Sequence, residues 1–399
     1  MTQEPTPDAS VAGPPPHHGR CELRVLHVDE QRGWRGGEQQ MLYLAGGLQR
    51  RGHAAALVVQ PGSPAGRRAL DAGVPVHEVR MRGEADFGAA LRIARIARSG
   101  GFNILHAHTA HAHALIQLAA HFWRCGCRVV AHRRIEFAVG RRAFGLGRLK
   151  YRFGVDAYIA VSDRVKETLI AAGVPEWRVF SIHSGTQPER FAGAEPLPRS
   201  ELQMPDDAFV LGTVGALVGH KDHRNLLEAA RVVRDHIPET WVVIVGGGPL
   251  RQSILDKAER LHMADRLVLT GFRWDVPRLL RAFDVFVISS SEEGICGSVI
   301  DAAAAGLPVV TTDAGGIREA ILAEETGIVV PVRSPRSLAQ GILRLASDAK
   351  DTRRMVEAGR RRVAEHFSVD VMTDKTIQVY ERVLRGEIGP DRPVGFCTR

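Results

Sequence analysis

Glu293 and Asp301 are the carboxylates whose placement most suggests chemistry. They stand eight residues apart in Ser289-Ser-Ser-Glu-Glu-Gly-Ile-Cys-Gly-Ser-Val-Ile-Asp301. Small polar residues close a strand there, Gly294 permits a turn and a helix is expected from about Ser298. One acid in the loop and one in the first helical turn can face a common ligand. Carboxylates at a strand end suit sugar and ribose hydroxyls, which donate hydrogen bonds to them. The unbonded N–H groups at the helix start suit a phosphate. Lys221, in Gly215-Ala-Leu-Val-Gly-His-Lys221, also follows a strand and precedes a helix, where it can meet a diphosphate as a point charge. Spacing alone leaves a plainer possibility open, that these are solvated loop charges.

Other patterns narrow the chemistry. Gly246-Gly-Gly-Pro249 closes a further strand. It is not GxGxxG with an acid about 20 residues on, so a nicotinamide-dinucleotide site is poorly supported. No Walker A sequence occurs. The run His106-Ala-His108-Thr-Ala-His111-Ala-His113 puts His106 and His108 on one strand face and the later two in a helix. A metal site would need a further ligand set in fixed geometry, and the chain has no Asp-x-Asp. No metal and no cofactor are expected. His108 is a candidate for contact with the reacting groups; His111 and His113 read as packing or solvation.

The elements that must position these residues alternate. Strand Leu23–Val28 leads through Gly33-Trp-Arg-Gly-Gly37 into a helix with apolar Met41, Leu42, Leu44 and Leu48, then strand Ala54–Val59, a βαβ signature. Strands and helices alternate on to Ala157–Ala160. The pattern restarts at Phe209–Val214 and runs to a helix Ile317–Leu322. Such alternation implies parallel sheets with helices on both faces. The expected division is a disordered Pro-rich leader over 1–20, a domain over 21–190, a Pro/Glu/Ala-rich linker over 191–208 and a second domain over 209–368. A helix over 369–385 then packs against one of them, before a tail over 386–399. Ligands in such sheets bind beyond the C-terminal strand ends.

The 399 residues carry a net charge of +8. Between Arg128 and Arg152 there are eight basic residues and one acid, so this stretch holds +7 and the rest of the chain +1. A general nucleic-acid coat is thereby excluded, and a local anion-attracting patch needs explaining. Arg133 and Arg134 follow a strand and should face the cleft. Arg141, Arg142, Arg148 and Lys150 interleave with Phe137, Phe144, Leu146, Leu149 and Tyr151, as in a membrane-surface segment; a solvated helix face is the alternative. Five cysteines rule out a disulfide scaffold and favour a reducing compartment. Residues 102–123 form the longest uncharged run but hold five histidines, so a transmembrane span is rejected. The leader lacks the apolar core of a secretory signal. The expected location is the cytoplasm, at the cytoplasmic face of the membrane when docked.

In order, Gly215-Ala-Leu…Lys221, Val245-Gly-Gly-Gly-Pro249, Leu269-Thr-Gly-Phe272, Glu293-Gly…Asp301-Ala and Asp313-Ala-Gly-Gly-Ile-Arg-Glu319 resemble the donor-binding half of retaining GT-B glycosyltransferases of family 4. Trp34-Arg-Gly-Gly-Glu38 and Arg51-Gly-His53 are similar to segments of that family's first half. The resemblance covers roughly residues 23–385. It implies a GT-B fold, two doubly wound Rossmann-like domains facing across a cleft. It also implies roles. Glu293 would bind donor-sugar hydroxyls, with the backbone of Gly294 and Ile295 beside it, and Asp301 the nucleotide ribose. Lys221, near Gly215, would hold the diphosphate and stabilise it as it leaves. Backbone around Gly271, Phe272 and Arg273 would frame the base. Gly36 and Gly37 would let the first domain approach the phosphates, and His108 would lie near the reacting sugar carbon. Two positions depart from the family: Asp301 stands where Glu is usual, and Ala216 where Arg is frequent. Arg273 or Arg318 could make up the lost phosphate contact.

The function implied is transfer of a sugar from a nucleoside diphosphate sugar to a hydroxyl of a cell-surface glycoconjugate, such as a lipopolysaccharide or another lipid-linked acceptor. The resemblance implies retention without metal. The expected partners are the nucleotide-sugar donor, a glycan or lipid-linked acceptor and the inner-membrane surface, but not nucleic acid. A sugar-nucleotide epimerase on the same architecture and a non-catalytic nucleotide- or lipid-binding scaffold are the other readings.

Overall fold

The computed structural model describes residues 22–134, 150, 151 and 153–390. The leader and the segment carrying Arg141, Arg142 and Arg148 lie outside the described residues. The first domain alternates β1 (Arg24–Val28), α1 (Gly36–Arg50), β2 (Ala54–Val59), α2 (Pro64–Asp71), β3 (Val76–Glu78), α3 (Phe87–Ser99), β4 (Ile104–Ala107), α4 (Ala110–Gln117), β5 (Arg128–Arg133), β6 (Ala157–Ala160), α5 (Asp163–Ala171) and β7 (Val179–Ser181). Its strands form one parallel sheet in the order β3-β2-β1-β4-β5-β6-β7. The order reverses between β1 and β4, the topological switch point where such sheets bind ligands.

The second domain repeats the scheme after a short α6 (Glu189–Ala192). It comprises β8 (Phe209–Val214), α7 (His223–Arg234), β9 (Thr240–Val245), α8 (Arg251–Arg260), β10 (Leu267–Gly271), α9 (Val276–Leu280), β11 (Val285–Ile288), α10 (Gly297–Ala305), β12 (Val309–Thr312), α11 (Ile317–Ala320), β13 (Ile328–Val330), α12 (Pro335–Ser347) and α13 (Ala349–His366). Its parallel sheet has the order β10-β9-β8-β11-β12-β13, with the switch between β8 and β11. This is the GT-B arrangement expected from the sequence.

Both sheets are covered on both faces, so their strands read as near-continuous apolar runs. In the first domain, Met41, Leu44 and Leu48 of α1 pack with Val25, Leu57 and Ile104 on one face. Ala90, Ile93 and Ala97 of α3 pack on the other. Each fully buried Met, Leu, Ile or Val among them contributes about 1.5–3 kcal/mol. α14 (Val369–Leu384) starts at Ser368, whose hydroxyl accepts from Val371 N–H (3.2 Å). It leaves the second domain and packs on α1, placing Met372, Val379, Tyr380 and Val383 in the first domain's core.

Two differences from the sequence reading have physical causes. The helix entered by His111 and His113 is α-helical only to Gln117, then widens into a π-turn, Leu118–Phe122. The Pro/Glu/Ala-rich connection is not a loose spacer. Phe191, Leu197, Leu202 and Met204 are buried, Leu197 N–H donates to Arg278 C=O (3.1 Å), and Arg199 pairs with Asp284 (2.9 Å). Composition marked it as a break, but its four large apolar residues fold it onto the second domain. The chain crosses between domains twice, and the crossings run side by side: Thr186 N–H donates to Phe367 C=O (2.7 Å) and Val369 N–H to Thr186 C=O (2.9 Å).

Candidate functional site

The loops leaving β8 and β11 meet at the second domain's switch point. Lys221 sits on a 3-10 turn after β8, and Glu293 lies beyond β11. The Lys221 ammonium donates to Glu293 Oε1 (2.6 Å), and Ser290 Oγ donates to the same oxygen (2.6 Å). Ser289 Oγ donates to Lys221 C=O (3.0 Å) and Ser291 N–H to His220 C=O (2.7 Å), so the two loops are stitched together. Burial disfavours the Lys221 charge, yet Cys296 and Glu293 outweigh it and hold the pKa above the ordinary lysine value. The amine is therefore an ammonium at neutral pH. Burial, then Glu293, pushes the Cys296 thiol up to about 11, so it stays protonated.

α10 starts at Gly297, directly after this loop, and no side chain caps its first N–H groups. Gly215 lies beside the Lys221 side chain: a Cβ there would touch it in ordinary contact, at 3.4 Å from Cε. Gly271 has φ +70 and leads to Phe272, whose half-exposed ring stands edge-on to Trp274 (4.5 Å). Ile295 is buried. Arg273 and Arg318 are each held by a near carboxylate, Asp275 (2.6 Å) and Asp313 (2.6 Å) respectively.

Asp301 lies deeper than the sequence reading had it. The helix begins at Gly297, so Asp301 is its fifth residue, past the first turn. Its Oδ1 accepts from Thr186 Oγ1 (2.5 Å), on the crossing between domains. Burial raises its pKa, opposed by the Thr186 bond and Arg190.

The first domain faces this site with the start of α1. Gly36 and Gly37 are its first two residues; a Cβ at Gly36 would meet nothing within 4 Å, and one at Gly37 only Arg134 Cδ at 3.8 Å. Glu38 closes the turn by accepting from Arg35 N–H (2.6 Å). The domains touch at Gly294, where a Cβ would lie 2.0 Å from the Arg134 carbonyl oxygen. Glu319 of α11 caps α5 across the interface, accepting from Asp163 N–H (2.9 Å) and pairing with His183 (2.8 Å). Trp34 and Trp274 approach from opposite domains (5.7 Å), with the Arg68 guanidinium 4.8 and 4.0 Å from their respective ring centres.

His108 is enclosed by groups that single-strand spacing could not reveal. Arg134 donates to its Nδ1 (3.0 Å). An arginine can only donate, so Nδ1 is the acceptor and Nε2 carries the proton. That Nε2–H donates to His27 Nδ1 (2.9 Å). Both ring nitrogens are thus occupied inside the protein. His106 bonds Tyr380 (2.5 Å), and His132 stacks on His106. Burial, reinforced by Arg134, lowers His27 to about 3 and takes His106, His108 and His132 well below the usual value, so all are neutral. Beside them Asp29 is pushed up to about 7, by burial and then by Glu38.

His27, His106 and His108 bring ring nitrogens within 4.8 Å of one another, the one such group among the described residues. A cation there would have to break the His27–His108 bond and sit beside Arg134. The donor set therefore fits a neutral network better than a metal.

Of the basic stretch, Arg128, Arg133, Arg134 and Lys150 are described, while Arg141, Arg142 and Arg148 lie outside the described residues. Arg133 is buried and donates to His113 Nδ1 (2.9 Å), while half-buried Arg134 serves His108 and meets Gly294 of the second domain through its carbonyl, on the cleft side expected of it. Lys150 is half-buried, pairing with Glu84 (2.7 Å) and donating to Ala110 C=O (2.6 Å). Clustering in sequence could not show that Arg133 and Arg134 each engage a histidine. Among the described residues no helix is long and apolar enough to cross a membrane.

Comparison with known proteins agrees with this geometry. The family described as Glycosyltransferase Family 4 matches residues 34–190, and Glycosyl transferases group 1 matches 196–362. The chain is 30% identical over 189 residues to the lipopolysaccharide core biosynthesis glycosyltransferase LpsD of Rhizobium meliloti, a match spanning 47% of this chain and 54% of LpsD. It is 24% identical to LpsE of the same organism, over 86% of this chain and 95% of LpsE. The crystal structure of Anabaena HepE in complex with UDP and glucose superposes with a TM-score of 0.78 at 18% identity, covering 90% of this chain and 99% of HepE. With one glycosyltransferase family on each of its two facing domains, the chain belongs to the family 4 glycosyltransferases, nucleotide-sugar enzymes of GT-B fold.

Proposed function

We propose that the protein transfers a sugar from a nucleoside diphosphate sugar to a hydroxyl of a cell-surface glycoconjugate, a lipopolysaccharide or another lipid-linked acceptor, with retention and without metal. The observation that carries this reading is the Lys221–Glu293 pair at the β8/β11 switch point, opposite the open start of α1. Lys221 turns from Glu293 to the diphosphate, and with the first N–H groups of α10 offsets the charge that develops as it leaves. Glu293 is then free to accept from donor-sugar hydroxyls. The bond from the anomeric carbon to the phosphate oxygen breaks, and its electron pair departs with the diphosphate. The acceptor oxygen bonds to the same face of that carbon, and its proton passes to the departing phosphate. Gly294, Ile295 and Gly215 line the phosphates, Gly271, Phe272 and Arg273 frame the base, and Asp301 binds the ribose once Thr186 releases it.

The names of LpsD and LpsE support the acceptor class, and the UDP and glucose in the HepE complex support the donor class. The decisive assay offers purified protein a panel of nucleotide sugars with and without a lipopolysaccharide-core acceptor. Transfer is expected only with both present, and Glu293→Ala should cut turnover by roughly 10²–10³-fold. Unchanged turnover in that variant removes the site assignment. Interconversion of donor sugars without acceptor would select the epimerase, and nucleotide binding without any turnover the scaffold.

A further inference from the structure

Three arginines outside the donor site surround a hollow in the first domain. We propose that this hollow binds an anionic group, a phosphate or a carboxylate, carried by the acceptor. The proposal rests on the glycosyl-transfer reading and narrows its acceptor class. The loops leaving β1, β2 and β3 enclose two adjoining cavities of about 440 and 500 Å³. Arg32 comes from the first loop, Gln60 and Ser63 from the second, and Arg80 and Arg82 from the third. These are C-terminal strand ends, where α/β sheets hold ligands. The β1 loop continues through Trp34 into Gly36 and Gly37, so a group held here lies on the same loop that faces the donor.

The hollow has a fixed floor. Buried Gln60 donates through Nε2 to Met81 C=O (2.6 Å) and accepts through Oε1 from Met81 N–H (3.2 Å), locking the β2 and β3 loops together. Ser63, also buried, caps α2 by accepting from Gly66 N–H (3.2 Å).

The acids at the hollow are held by hydrogen bonds. Glu78 accepts from Gly62 N–H (2.8 Å) at its lip, Glu30, which lines the second cavity with His111, accepts from Ala112 N–H (3.2 Å), and Glu84 accepts from Lys150 (2.7 Å). Asp86 takes Arg82 and Ala89 N–H groups (3.0 and 2.9 Å). Among the described residues, no carboxylate lies within ion-pair distance of the Arg32, Arg80 or Arg82 guanidinium. Three arginines against one lining carboxylate, Glu30, leave the concavity with an excess of positive charge that suits an anion. The guanidinium fork matches the paired oxygens of phosphate and carboxylate.

Isothermal titration of the full chain tests this with glucose 6-phosphate, glucuronate and neutral methyl glucoside, and with phosphatidylglycerol vesicles for a headgroup source. Wild type and Lys221→Ala should bind an anionic probe alike, and neither should bind methyl glucoside measurably. Arg80→Gln/Arg82→Gln should lose affinity at least about tenfold with an unchanged melting temperature, because both side chains are exposed. Gln60→Leu, which frees the two loops, should weaken the probe without removing a charge. Heat from sugar phosphate or glucuronate assigns the anion to the acceptor glycan; heat from vesicles alone assigns it to a lipid headgroup. Equal binding by the double arginine variant, or loss of binding in Lys221→Ala, overturns the proposal. Absence of sugar transfer by wild type would sink the functional reading while leaving the anion site standing.

Discussion

Lys221 and Glu293 are each mostly enclosed, with 15% and 9% of their side-chain surface exposed. Removing one partner leaves the other charge poorly solvated and unpaired. Lys221→Met should therefore lower stability by about 1–3 kcal/mol, seen as a shifted denaturant midpoint, as well as reducing turnover. Lys221→Met/Glu293→Gln should recover much of the stability and none of the activity, separating the two roles. The histidines give a pH prediction. His27, His106, His108 and His132 have folded pKa values below the unfolded one. As pH falls below about 6.5, the unfolded chain takes up protons that the folded chain refuses. Stability is thus present above that pH and lost below it, by up to about 1.4 kcal/mol per pH unit per histidine. Asp29 acts with the opposite sign. Its pKa is raised to about 7, so its contribution is lost as pH rises toward 7. Four histidines outweigh one aspartate, so urea midpoints should fall steeply from pH 6.5 to 5. His27→Phe should flatten that fall; an unaltered slope would show that His27 is protonated in the folded protein.

At the scale of elements, the site depends on how closely the β11–α10 loop can approach the first domain. Gly294 abuts the Arg134 carbonyl, and Gly316 packs against the Gly294 oxygen and Ser162. Gly294→Ala would push the loop off the first domain without entering either sheet. Both sheets should still fold, while kcat/KM falls roughly a hundredfold, as expected for a displacement of about 1 Å between reacting groups. Small-angle scattering would register a larger radius of gyration, whereas Gly193→Ala, with nothing within 4 Å, should alter neither quantity. Most strands were legible because doubly covered parallel strands are continuous apolar runs: Ala54–Val59, Phe209–Val214 and Val285–Ile288 match their elements end for end. Val179–Ser181 and Ile328–Val330 were not read, being three-residue strands with too little pattern to separate from their turns. Lys221 and Glu293 were legible because each is announced by its own strand end. The pairing of Asp301 with Thr186, the Arg68 position between Trp34 and Trp274, and the enclosure of His108 were not, because each joins residues far apart in the chain.

At the scale of the whole molecule, the charge distribution takes on a different meaning once burial is known. The sequence holds seven arginines and no acid from Phe87 to Arg134. Arg133 is buried and Arg134 half-buried against His108, while Arg92, Arg95, Arg98 and Arg124 remain exposed. Beside them stands an aromatic group. Phe87 contacts Phe122 and Trp123 (6.0 Å each), and Phe87 and Phe122 are 50% and 67% exposed. Phe153, 61% exposed, follows Lys150 and Tyr151, and its carbonyl accepts from Gln117 (2.7 Å) just before the π-turn. Large aromatics left in water next to exposed arginines suit the boundary of an anionic bilayer, where rings enter the headgroup layer and arginines meet phosphates. The first domain would then sit on the surface that presents a lipid-linked acceptor. The full chain should co-sediment with vesicles of phosphatidylcholine plus phosphatidylglycerol, and less so as salt rises. Arg92→Gln/Arg95→Gln/Arg98→Gln should lower partitioning by about fivefold per charge, the equivalent of about 1 kcal/mol each. Phe122→Ser/Phe153→Ser should lower it further, with melting temperature unchanged. Binding that ignores both variants, or variants that instead convert a dimer to a monomer, would reassign this face from the membrane to a protein contact.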